Sequence, residues 1–315
     1  MKIKRLIKIV IINFILFLFI IPKSFTKPIP PGTGEGDVPA NILILLDSSV
    51  SMRNLVSGDE GTYGIDWSVE LSDGSIIFAE NGRGFSKFLD TGKRDITFAR
   101  NQINFKGSNS DPDCGTNSKV NKSWAGDVTS GDVVYGLSTQ NGGQIIAIDS
   151  TGKCVEVIKY GTTGIALPRL LEIRTIDGEE ILFAAGRTFS GGHKGRMYVK
   201  NLTNGKQKKC SIGNSSHFGT KLKNNNVWSM TVSNDGDYIY LSASKALLGY
   251  KLTKDSNNLY CPTDGNWEYF INTNNSRVEQ RGGVKNTYTD DIKDIYSIEY
   301  SKTENNKIYT TSFNS

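Results

Sequence analysis

A short grammar of apolar runs and tight-turn signals, repeated from Tyr63 onward, limits the possible folds of this chain more than any other feature. Each unit reads as a strand, a turn, a very apolar strand, a loop, and a strand closed by another turn. The first runs Ile65-Asp-Trp-Ser-Val-Glu-Leu71, turns at Ser72-Asp-Gly74, continues as Ile76-Ile-Phe-Ala79, and resumes at Phe85 to end at Thr91-Gly92. The second has Asp132-Val-Val-Tyr-Gly-Leu137, Asn141-Gly-Gly143, Gln144-Ile-Ile-Ala-Ile-Asp149, Thr151-Gly152 and Cys154-Val-Glu-Val-Ile158. The third has Leu170-Leu-Glu-Ile-Arg174, Asp177-Gly178, Ile181-Leu-Phe-Ala-Ala185 and Arg196-Met-Tyr-Val-Lys-Asn201, closing at Gly205. The fourth has Val227-Trp-Ser-Met-Thr-Val232, Asn234-Asp-Gly236, Tyr238-Ile-Tyr-Leu-Ser242 and Leu247-Leu-Gly-Tyr-Lys-Leu252. The fifth begins at Ile292, turns at Glu304-Asn-Asn306 and stops within Ile308-Tyr-Thr-Thr311.

Apolar runs of four to eight residues bounded by Asp-Gly, Asn-Gly and Thr-Gly pairs predict short strands joined by tight turns. A recurrence of about 50 to 60 residues, with three or four strands per unit, is the pattern of β-propeller blades. The expected fold is therefore mainly β: a propeller-like region of about five blade-like units, the last incomplete, over residues 58–315. A sandwich or an irregular β-solenoid is the alternative. Trp-Asp and Gly-His signatures are missing. The Gly-Gly pairs at Gly142, Gly191 and Gly282 hold no constant place in the unit, so a kelch assignment fits poorly.

Ahead of this region, Ala40-Asn-Ile-Leu-Ile-Leu-Leu-Asp-Ser-Ser-Val-Ser-Met52 carries the main chemical signal. An unbroken apolar run from Ile42 to Leu46 predicts a strand buried on both faces. Asp47, Ser49 and Ser51 follow at steps of two, so an extended backbone turns all three the same way. One carboxylate and two hydroxyls make part of a hard-oxygen cage for magnesium, calcium or manganese.

Residues 38 to 55 resemble the first strand and metal loop of a von Willebrand factor A domain, with Asp47, Ser49 and Ser51 at its three Asp-x-Ser-x-Ser positions. That resemblance implies that the serines hold the ion directly, the aspartate acts through water, and a carboxylate from a protein or cell-surface ligand completes the shell. It also implies the start of an α/β domain over residues 38–57. The chain departs from the family straight afterwards. Gly58 and Gly61 interrupt the segment where the family has a long helix. No later helix–strand alternation supplies the family's Thr and second Asp, so the site is incomplete. An A domain joined to a propeller resembles the pilus-associated adhesins of the PilY type. If the propeller-like region is inserted after the first metal loop, the rest of the A domain would lie beyond Ser315, and the chain would be a fragment or truncation.

Lys2, Lys4, Arg5 and Lys8 precede an apolar core, Ile9 to Ile21, of about 13 residues, the length of a signal-peptide core rather than of a spanning helix. Cleavage is expected near Ser24 to Thr26, giving a signal peptide over 1–26; an uncleaved anchor is the alternative, and the membrane enters in no other way. Residues 27–37 are rich in Pro and Gly and read as a linker. The protein is thus expected to be exported: periplasmic, cell-surface or secreted. Four cysteines, Cys114, Cys154, Cys210 and Cys261, fit an oxidising compartment. They allow three connectivities, of which the sequential pairing Cys114–Cys154 and Cys210–Cys261 is preferred.

The basic N-terminal residues account for most of the formal charge of +5, so the balance does not point to nucleic acid. Lys206-Gln-Lys-Lys209, with Lys221 and Lys223, reads as a solvated loop, or as a binder of an acidic glycan. Catalysis has thin support, because His193 and His217 are the only histidines and both fall in polar loops. An exported propeller hydrolase or quinoprotein-type enzyme, or a structural scaffold, remains the alternative to adhesion. Asp290, Asp291 and Asp294 could gather calcium or simply solvate a connection. Asp73-Gly74 and Asp149 to Gly152 lack the calcium-loop pattern, and Gly82 with Gly84 does not precede a helix. Trp67 and Trp228 are expected to pack between units; Trp124 and Trp267 lie in polar stretches where a sugar could stack.

Overall fold

The computed structural model describes residues 65–80, 84–98, 123–138, 143–165, 168–186, 196–212, 227–243, 246–263, 269–272, 277–280, 283–287, 294–301 and 307–313. All belong to one compact unit, Ser48–Ser315. The described part is mainly β, in five antiparallel sheets with one single-turn helix. Among the described residues no helix is long and apolar enough to cross a membrane.

The first sheet is β1 (Ile65–Glu70), β2 (Ile76–Glu80) and β3 (Gly84–Phe88). The second is β4 (Gly126–Val128), β5 (Val134–Ser138), β6 (Gln144–Ile148) and β7 (Cys154–Ile158), followed by α1 (Tyr160–Thr163). The third is β8 (Pro168–Ile176), β9 (Glu179–Gly186), β10 (Arg196–Asn201) and β11 (Gln207–Ser211). The fourth opens with β12 (Val227–Val232), β13 (Tyr238–Ala243) and the long β14 (Ala246–Lys254). β14 pairs β15 (Tyr260–Pro262) with its last residues and β16 (Tyr269–Asn272) with its first. β17 (Arg277–Gln280) and β18 (Gly283–Thr287) extend the sheet beyond β16. The fifth holds β19 (Asp294–Tyr300) and β20 (Ile308–Phe313).

Hairpins set the strand order because the turns are short and specified. In the β1–β2 turn Leu71 N–H donates to Ser75 C=O, with Gly74 at φ +76°, a conformation that glycine adopts without a Cβ clash. Asp149 N–H donates to Lys153 C=O in the corresponding turn between β6 and β7.

The strand interiors of the second, third and fourth sheets are apolar on both faces because each of these sheets lies between two others. In β6, Ile146 and Ile148 face the first sheet, where they join Ile77, Ala79 and Phe85. Ile145 and Ala147, one residue out of phase, join Leu182, Ala184 and Tyr198 of the third sheet. In β9, Ile181, Phe183 and Ala185 turn instead to the fourth sheet and meet Ile239, Leu241 and Tyr250. Leu247 and Tyr240 then face Ile295, Ile298 and Ile308 of the fifth. Four apolar interfaces thus run in series, each fed by alternate residues of strands whose other face feeds the next.

The first strands are neighbours in the same order: β1 packs on β4, β4 on β8, β8 on β12, and β12 on β19. Trp67 of β1 lies over two glycines paired across β4 and β5, Gly126 and Gly136. A Cβ at Gly126 would stand 2.3 Å from the indole, and one at Gly136 would stand 2.5 Å from Phe85. Glycine here makes room for an aromatic ring rather than for a turn. Trp67 also donates from Nε1 to Ser123 Oγ at 2.8 Å, which satisfies its one polar atom.

A disulfide joins Cys210 of β11 to Cys261 of β15, linking the last strand of the third sheet to the fourth, with Cα atoms 5.6 Å apart. This half of the sequential pairing is present. Cys154 is also disulfide-bonded, while Cys114 lies outside the described residues.

Three sequence expectations need correction. The second unit does not begin at Asp132, since β4 precedes it and Asp132 sits in the β4–β5 turn at φ +59°. The Lys206 to Lys209 segment is not a loop: Gln207–Ser211 is β11, whose exposed lysines flank a buried Cys210. The fourth unit is no three- or four-stranded blade, because β15 to β18 enlarge its sheet to seven strands. Polar sequences such as Arg277–Gln280 and Gly283–Thr287 carry little apolar alternation, so the pattern that reveals a strand is missing there.

Candidate functional site

Asp47, Ser49 and Ser51, the expected cation ligands, lie outside the described residues, as do His193, His217, Trp267, Asp290 and Asp291. Among the described residues no group of three or more His, Cys, Asp or Glu side chains could hold a metal ion.

The most concentrated polar chemistry lies where the first strands of the second to fifth sheets meet. β8 alternates, so Leu171 and Ile173 face the second sheet while Leu170, Glu172, Arg174 and Ile176 fall on the opposite side. Glu172 and Arg174 are thus an acid and a base two residues apart on one face, and both are buried. Arg174 Nη2 pairs with Glu172 Oε1 and donates to Thr231 Oγ1 of β12 at 3.2 Å. Its Nη1 donates to Asn234 Oδ1 at 3.3 Å, and Glu299 of β19 lies 3.8 Å from Nη2. Thr231 Oγ1 donates to Glu172 Oε1 at 3.2 Å and accepts from Tyr300 N–H at 2.9 Å. Asn234 Nδ2 donates to Ser301 C=O at 2.8 Å.

The cluster therefore ties three sheets together through side chains that reach neighbouring backbone. Ser229 extends the stitching: it accepts from Ile298 N–H at 3.2 Å and donates to Ile298 C=O at 3.3 Å. Asp127 of β4 does the same between the second and third sheets, accepting from Ile173 N–H at 2.8 Å.

Two buried atoms in the cluster, Glu172 Oε2 and Arg174 Nε, have no hydrogen-bond partner among the described residues. Burial pushes the Glu172 carboxyl up to about 8; the Arg174 guanidinium pulls the other way, and Glu299 and Asp127 add to the rise. One guanidinium thus faces two carboxyl groups, of which the closer, Glu172, is the buried one.

The turn aspartates have a different fate. Asp73 accepts from the Ser75 hydroxyl and from Ser75 N–H, which holds its carboxyl below the ordinary range. Asp95 is held low by the Thr97 hydroxyl first, and also by Thr97 and Phe98 N–H. At Asp149 burial opposes ionisation, but the Thr151 hydroxyl and the Lys153 and Thr151 amides outweigh it. These carboxylates satisfy the donors of their own turns. Asp177, in the β8–β9 turn, accepts from Lys254 Nζ at 2.7 Å and from Tyr260 O–H at 3.2 Å.

Trp67 packs between the first two sheets, as its place in a first strand predicts. The Trp124 ring is covered by the Arg169 guanidinium, 3.4 Å from the ring centroid. Lys208 pairs with Asp255 at 3.0 Å.

Glu172 and Arg174 are not among the site residues that the sequence motifs suggest. Their signal is nevertheless visible in Leu170-Leu-Glu-Ile-Arg174, where opposite charges interrupt an apolar strand at a spacing of two. A strand that buries one face leaves such charges in water; one that buries both must pair them. No protein-family model matches this chain, and a comparison with curated proteins finds no match.

Proposed function

We propose that this chain is an exported interaction protein, a propeller-like scaffold that presents a divalent-cation-dependent ligand site formed by Asp47, Ser49 and Ser51. The observation that carries the scaffold reading is the serial contact of first strands, β1 to β4 to β8 to β12 to β19, combined with face-to-face apolar interfaces in the same order. Sheets stacked with their first strands adjacent are how propeller blades surround an axis. A disulfide between two neighbouring sheets suits a protein that works outside a reducing cytosol. The scarcity of histidine, two in the whole chain, favours binding over catalysis. In this reading the ion bridges the chain to a carboxylate of a protein or cell-surface ligand, in the manner of the pilus-associated adhesins that the sequence resembles.

The test uses full-length protein on immobilised extracellular-matrix proteins and intact cells, in manganese and in chelator. Metal-dependent binding that falls at least about tenfold in Asp47→Ala supports the reading. Chelator-insensitive binding, with Asp47→Ala equal to wild type, removes the metal from it.

A further inference from the structure

We infer that Glu172 and Arg174 form a proton-operated latch that governs how firmly the fifth sheet is held against the third and fourth. The geometry supplies each part. Arg174 is the shared cation: it contacts Glu172 on its own strand, Thr231 and Asn234 from the fourth sheet, and Glu299 from the fifth. The charged groups facing Glu172 are Arg174 on β8, Glu299 on β19 and Asp127 on β4. Among the described residues β12 contributes uncharged Thr231 and the β12–β13 turn uncharged Asn234, and β9 places Phe183 opposite Glu172.

With Glu172 protonated, the charge of Arg174 is balanced by Glu299, and the fifth sheet is drawn in. When Glu172 loses its proton, two carboxylates compete for one guanidinium. Glu172 wins, because it is buried and in contact, whereas Glu299 is half-exposed and 3.8 Å away. Glu172 Oε2, buried without a hydrogen-bond partner among the described residues, then carries part of that charge. β19 keeps its hydrogen bonds to Ser229 and Thr231, while the ion pair of its Glu299 with Arg174 weakens. Burial raises the Glu172 carboxyl to about 8, so the transition falls between about pH 6 and pH 9.

The latch is tested by amide hydrogen exchange on the full chain at about pH 6 and pH 9, corrected for intrinsic rates, comparing β19 with β2 as an internal reference. The expected result is that β19 protection, relative to β2, falls at least about fivefold at the higher pH in wild type. It stays flat in Glu172→Gln, which fixes the neutral form, and in Glu299→Gln, which removes the competitor. Flat wild-type protection, or the wild-type fall persisting in either variant, overturns the inference. Should Glu172→Gln fail to fold, the wild-type profile and Glu299→Gln still decide. Infrared spectroscopy adds a direct reading: a buried protonated-carboxyl band present at pH 6 and lost by pH 9 is expected, and its absence at pH 6 refutes the latch.

Discussion

The contact of β1 with β4 and the contact of β8 with β12 and β19 occupy equivalent places in the stack but are made of different matter. The first is mainly shape: the Trp67 ring rests on Gly126 and Gly136, and its Nε1 donates to Ser123. The second is charge: Glu172 and Arg174 hold Thr231, Asn234 and Glu299. Neighbouring first strands can be joined either way, and the two ways fail differently. A shape contact responds to a methyl group and ignores pH, because nothing in it titrates near neutrality. A charge contact tolerates small changes of volume but depends on which protons are bound.

The largest expected effect breaks the shape side. Trp67→Ala leaves a cavity over two glycines that cannot fill it and lowers stability by about 3 to 5 kcal/mol in denaturant unfolding. Gly136→Ala attacks the same contact from the other side, by overpacking, at about 1 to 3 kcal/mol or more. Both losses are expected to be equal at pH 6 and pH 9; a pH-dependent loss would erase the distinction between the two contacts.

Replacing Cys210 and Cys261 together by Ser comes next. The bond closes a loop with a sequence separation of 51, and releasing it costs about 2 to 4 kcal/mol. The expected loss appears in unfolding midpoints under non-reducing conditions, and an unchanged midpoint would show that the apolar interface alone holds these sheets together.

The charge side is sharpened by pH. The folded-state carboxyl of Glu172 titrates near about 8, above the 4.5 of a free glutamate, so the folded chain binds more protons than the unfolded chain between those values. Stability contributed by this group is therefore full below about pH 4.5 and declines as pH rises through about 8. Wild type is expected to lose at least about 1 kcal/mol relative to Glu172→Gln between pH 5 and pH 9, measured by denaturant unfolding. Parallel curves would place the charge contact with the shape contact as pH-indifferent. The smallest effect belongs to an exposed pair: Asp177→Asn removes the Lys254 contact and leaves the midpoint unchanged at moderate salt.

The legibility of these contacts in the sequence was uneven. The strand–turn–strand grammar located β1, β2, β8, β9, β12, β13 and β14, because buried strands are apolar on both faces and their turns need Gly, Asp or Asn. It missed β4, only three residues long, and began the second unit one strand late. It missed β11, where Lys208 and Lys209 masked a strand whose inward residue is Cys210. It also missed β16 to β18, which lack clear alternation. The place of Trp67 in a first strand predicts packing between units, but nothing in the one-dimensional pattern points to the glycines beneath it. Glu172 and Arg174 went unremarked, because a charged pair in a strand reads as a solvated face until the second covering sheet is known.

Local chemistry thus decided which segments extend and where they turn, since those outcomes depend on neighbours in the chain. Partnership across sheets was decided only in three dimensions. Whether Gly136 faces a ring, whether Glu172 meets Arg174 in the dark or in water, and whether β15 to β18 join β14 all depend on which distant strand arrives beside them. That choice is made by the summed burial of a whole interface, and no single stretch of residues carries it.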